Sequence, residues 1–95
     1  MNASATILVV DDDAPLREVV RYALAREGLR VLEAGDGERA LAVCAAESPD
    51  LVVLDVNLPR IDGLSVCREL RRRSAVSVLF LSCRRVEVDR ILGCE

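Results

Sequence analysis

Apolar runs and amphipathic stretches alternate along this chain with no linker, repeat or low-complexity segment between them. Thr6-Ile7-Leu8-Val9-Val10 predicts a strand; after it Leu16, Val19, Val20, Ala23 and Leu24 recur at helical spacing, and Gly28 is suited to ending that helix. Residues 29–34 predict a second short strand. Gly35-Asp36-Gly37 turns into a helix whose buried face should carry Ala40, Leu41 and Cys44, and Ser48-Pro49-Asp50 breaks it. Leu51-Val52-Val53-Leu54 is apolar at every position, as a strand covered on both faces requires. Pro59 keeps the loop 57–63 out of a central strand, and Asp62 is placed to cap a helix carrying Leu64, Cys67 and Leu70. Residues 76–81 predict a fourth strand, and Val88, Ile91 and Leu92 predict a helix from Val86 onward.

Strand and helix in strict alternation argue for an α/β fold, an open, doubly wound parallel sheet with helices on both faces. Ligands of such sheets sit at the carboxyl ends of the strands. Asp11, Asp12, Asp55, Asn57 and Ser82 all fall at those ends, on three separate strands, which is an odd coincidence for mere turn residues.

Length and composition narrow the picture. With 95 residues, 52% of them hydrophobic, the chain can build one core, so residues 1–95 are expected to form a single domain. A net charge of −3 without a basic tail gives no sign of nucleic-acid binding by this segment, and Arg71-Arg72-Arg73 reads as the solvated end of a helix. The opening Met1-Asn2-Ala3-Ser4-Ala5 has neither a charged leader nor an apolar stretch, so the expected location is cytoplasmic, with no membrane span. Cys44, Cys67, Cys83 and Cys94 are too widely spaced for a CxxC motif and the chain has no histidine, so the cysteines read as small hydrophobes rather than zinc ligands or disulfides.

The acidic residues suggest the chemistry. If the strands ending in Asp11-Asp12 and in Asp55 are neighbours, three carboxylates share one crevice, a donor set suited to Mg²⁺ and able to offer an aspartate oxygen to a phosphoryl group. Asp13 fits a plainer role at the start of the following helix, where an acidic residue meets the positive end of the dipole. An aspartyl phosphatase would expect a second aspartate two residues after its nucleophile; that position is Asn57.

The segments VVDDDAPLR, LDVNLPRIDG and VLFLSCRR, in this order and spacing, closely resemble the receiver domain of bacterial two-component response regulators, and DGERAL and DRILG point to the subfamily with a winged-helix DNA-binding output. The resemblance implies a flavodoxin-like fold with strand order 2-1-3-4, Asp55 as phosphoacceptor served by a sensor histidine kinase, and Mg²⁺ held by Asp11, Asp12, Asp55 and the backbone carbonyl of Asn57. It also implies that Ser82 is the switch hydroxyl. The family's next strand, which carries a lysine, and its last helix have no counterpart before Glu95, so the chain reads as truncated. Two expectations follow: a fourth strand left as an open apolar edge that pairs two copies into a homodimer, and, as the alternative function, a non-switching binding module.

Overall fold

The computed structural model describes residues 5–56 and 58–81, and the backbone of residues 86–89. Eight elements follow one another: β1 (Thr6–Val10), α1 (Ala14–Ala25), β2 (Arg30–Ala34), α2 (Gly37–Glu47), β3 (Leu51–Asp55), α3 (Gly63–Arg73), β4 (Ser77–Leu81) and β5 (Val86–Asp89). The first four strands are parallel in the order β2-β1-β3-β4, as expected.

Alternation along the strands divides the core in two. Leu8, Val10, Val52, Leu54, Val78 and Phe80 point to one face and pack with Ala40 of α2 and with Val66, Cys67 and Leu70 of α3. Ile7, Val9 and Val53 point to the other, where Val20 and Leu24 of α1 cover them. Leu54 and Leu8 are fully enclosed; truncating either to alanine is expected to cost about 2–5 kcal/mol.

Two helical faces differ from the pattern read off the sequence. On α1, Val20 and Leu24 face the sheet, but Leu16 and Val19 remain 40% and 64% exposed. On α3 the buried set is Val66, Cys67 and Leu70, with Leu64 turned outward at 37% exposure. Both helices carry apolar residues around more of their circumference than one sheet contact can cover, so spacing alone left the rotation open.

The end of the chain departs further. Val86–Asp89 is a strand, not the start of a helix, and runs antiparallel to β4 with Leu79 opposite Val88 and Leu81 opposite Val86. The sequence Val86-Glu87-Val88-Asp89 alternates apolar and acidic residues, a period of two that suits a strand as well as a helical fragment. The fourth strand is therefore not the open edge from which a homodimer was expected; the chain pairs that edge itself. Residues 90–92, on which the helical spacing also depended, lie outside the described residues. The reading of the cysteines changes too: Cys44 is free, but Cys67, fully buried, is disulfide-bonded.

Candidate functional site

β1 delivers Asp11 into the crevice at the carboxyl end of the sheet and anchors it three ways. Its N–H donates to the Ala34 carbonyl at the end of β2 (3.2 Å), its carbonyl accepts from the Arg17 guanidinium (2.6 Å), and its carboxylate accepts from the Asp13 N–H (2.9 Å). Asp11 is 4% exposed. Burial raises its pKa, a rise partly offset by the hydrogen bond from Asp13 and reinforced by the charges of Asp55, Asp12 and Asp13. Asp13 takes the role read for it, capping α1 by accepting from the Leu16 N–H at 3.1 Å.

Asp55 ends β3 beside Leu81 of β4 and is half-buried. Carboxylate oxygens of Asp11, Asp12 and Asp55 all lie within 4.8 Å of one another. The three residues singled out from two strand ends therefore converge, because β1 and β3 are direct neighbours with Val10 beside Leu54. Asn57 and Ser82 lie outside the described residues.

Two residues of the site escaped the sequence reading. Arg17, one turn into α1, reaches back to the Asp11 carbonyl while pairing with Glu33 of β2 (3.1 Å), which Arg21 also meets (2.8 Å). An arginine at helical spacing from an acidic pair was the available signal, but its partner Glu33 is remote in sequence. Gly63, the first residue of α3, lies against the Asp55–Val56 peptide and donates its N–H to the Val56 carbonyl (2.9 Å). Asp62 caps α3 through the Ser65 N–H (2.8 Å), and that hydrogen bond, with one from the Ser65 side chain, lowers its pKa.

Three carboxylates gathered at parallel strand ends form an oxygen-only donor set of the kind a hard divalent cation takes. Burial is the main reason the Asp11 pKa is raised, and the neighbouring charges of Asp55, Asp12 and Asp13 add a smaller repulsion of the kind such a cation relieves.

Comparison with known proteins agrees with this geometry. Residues 7–94 match the family described as the response regulator receiver domain. The chain is 44% identical over 90 residues to the alkaline phosphatase synthesis transcriptional regulatory protein PhoP of Bacillus subtilis, covering 94% of this chain and 38% of that protein. It is 45% identical over 94 residues to the probable transcriptional regulator ycf27 of Pyropia yezoensis, covering 99% and 39%. The chain thus spans about two fifths of the length of these relatives. Among solved structures, the chemotaxis protein CheY4 of Vibrio cholerae superimposes with a TM-score of 0.83 at 31% identity, covering 87% of this chain and 72% of that one. The N-terminal domain of a response regulator receiver protein from Methanoculleus marisnigri gives 0.82 at 34%, covering 86% and 69%. The family match runs from the first strand to the penultimate residue, and the chain belongs to the response regulator receiver domain family.

Proposed function

We propose that this chain accepts a phosphoryl group on Asp55 from the phosphohistidine of a sensor histidine kinase in the cytoplasm, as the receiver of a transcriptional regulator. The convergence of Asp11, Asp12 and Asp55 at the carboxyl ends of neighbouring parallel strands carries this reading. In the transfer, an oxygen of the Asp55 carboxylate bonds to phosphorus and the phosphorus–nitrogen bond of the donor breaks. The bonding pair leaves on the imidazole nitrogen, and the product is an acyl phosphate.

Asp11 and Asp12, with Asp55, would hold Mg²⁺, and the Asn57 carbonyl and the Ser82 hydroxyl belong to the same proposal as metal ligand and switch contact. When bound, the ion supplies positive charge against the oxygens of the phosphoryl group. The chain's own contribution is positional. Arg17 and the Ala34 carbonyl fix the backbone of Asp11, so its carboxylate is presented from a rigid strand end rather than a loose loop. β4 and α3 hold Val56, the residue after Asp55, from two sides, through the bonds Val56 N–H to the Leu81 carbonyl (3.3 Å) and Gly63 N–H to the Val56 carbonyl.

Intact-mass measurement after incubation with acetyl phosphate and Mg²⁺ tests the reading. One phosphoryl adduct is expected on the wild-type chain and none on Asp55→Asn. Equal modification of both proteins would move the acceptor elsewhere, and absence of the adduct from both would favour a binding module that docks without accepting phosphate.

A further inference from the structure

We propose that Gly63 is a positioning residue for Asp55, and that its lack of a side chain is a requirement of the site rather than of the helix. This rests on the reading of Asp55 as phosphoacceptor and metal ligand. Gly63 opens α3, where alanine would be tolerated on helical grounds and would favour the helix. Its φ is not in the left-handed region, so backbone conformation does not call for glycine either. The reason is contact: a Cβ at this position would overlap the carbonyl oxygen of Asp55 and stand 2.8 Å from Val56 Cα and 3.1 Å from the Asp55 carbonyl carbon. All three are backbone atoms, which cannot swing aside as a side-chain end can.

Val56, the residue that follows Asp55, is held through both its backbone groups. Val56 donates its N–H to Leu81 of β4, and the Val56 carbonyl accepts from Gly63. A methyl group at residue 63 has to push α3 away, breaking the second bond, or push the Asp55–Val56 peptide toward the crevice. Either movement shifts the Asp55 carboxylate relative to Asp11, whose backbone Arg17 and the Ala34 carbonyl hold without contact to residue 63. Displacements of about 1 Å in a reacting group lower rates by about a hundredfold.

Gly37 supplies the control. It also opens a helix and is also buried, but the three atoms a Cβ there would meet first are the Val66 side chain at 2.6 Å and Ile61 Cβ and carbonyl oxygen at 3.2 and 3.3 Å, none of them on Asp55. The experiment compares Gly63→Ala, Gly37→Ala and the wild-type chain by calorimetric titration with Mg²⁺ alone and by the rate of acetyl-phosphate labelling per folded molecule. Gly63→Ala is expected to weaken Mg²⁺ binding and labelling by about tenfold or more, with Gly37→Ala close to wild type in both. Wild-type Mg²⁺ affinity and labelling in folded Gly63→Ala would overturn the proposal. If the wild-type chain binds Mg²⁺ but is not labelled on Asp55, the phosphoacceptor reading falls, and the Mg²⁺ titration alone judges Gly63. Should Gly63→Ala not fold, amide exchange in the wild-type chain decides. Saturating Mg²⁺ should slow exchange at the Gly63 N–H, whose acceptor is the carbonyl of Val56, the residue next to Asp55, and unchanged exchange there overturns the proposal.

Discussion

Two helices of this chain begin with the same dipeptide. Asp36-Gly37 opens α2 and Asp62-Gly63 opens α3; each aspartate caps its helix by accepting from the backbone N–H three residues on, at 2.8 Å in both, and each glycine is buried. Their surroundings differ. Gly37 leans on the side chain of Val66 and on Ile61, whereas Gly63 leans on the backbone of Asp55 and Val56. The first contact is chiefly with side chains, Val66 the nearest, with one backbone oxygen, that of Ile61, at 3.3 Å; the second joins the end of a helix to the backbone of Asp55, the proposed phosphoacceptor. One local motif thus serves two purposes, and only the neighbour distinguishes them.

The largest expected effect that sharpens this comparison is on stability. Gly63→Ala should destabilise the fold by about 3 kcal/mol, because the overlap is with backbone, and Gly37→Ala by about 1–2 kcal/mol, because its one overlap is with the Val66 side chain. Urea denaturation of both variants checks the order; equal losses would mean that the Asp55 peptide yields as easily as a side chain.

Next in size is the response to Mg²⁺. A cation that binds only the native state adds about 2.7 kcal/mol at a hundredfold excess over Kd. The melting temperature should rise with millimolar Mg²⁺ in the wild type and in Gly37→Ala, rise less in Gly63→Ala, and stay fixed in Asp12→Ala. The effect should also depend on pH. The folded-state pKa of Asp11 is raised by burial and by its acidic neighbours, so in metal-free protein its contribution is present below the unfolded value and is lost as pH rises through the folded one. The Mg²⁺-induced shift should therefore grow as pH rises through that window. A shift independent of pH would separate Asp11 from the cation.

The smallest effect concerns the cap beside Gly63. Hydrogen bonds from Ser65 lower the pKa of Asp62, so its charged contribution is complete above the unfolded value and is lost as pH falls through the lower folded one. Asp62→Asn keeps an acceptor oxygen but cannot titrate, and it should flatten the acid side of the melting profile without altering Mg²⁺ binding at neutral pH. Loss of Mg²⁺ affinity in Asp62→Asn would show that the cap, not only Gly63, governs Asp55.

Much of the fold and site was legible in the residue order. β1 spans the predicted residues, the four parallel strands stand in the order implied by the family resemblance, and Asp11, Asp12 and Asp55 converge as their strand ends required. These features depend on period, turn residues and caps, which are properties of short segments, and on the rule that parallel strands present their carboxyl ends together. The rotation of α1 that leaves Leu16 and Val19 outward, the antiparallel strand Val86–Asp89, the reach of Arg17 to the Asp11 carbonyl and the contact of Gly63 with Asp55 were decided only in three dimensions. Each depends on which surface a segment meets once the sheet has formed. Two Asp-Gly pairs identical as local signals acquire different work because β3 ends beneath one of them and not the other.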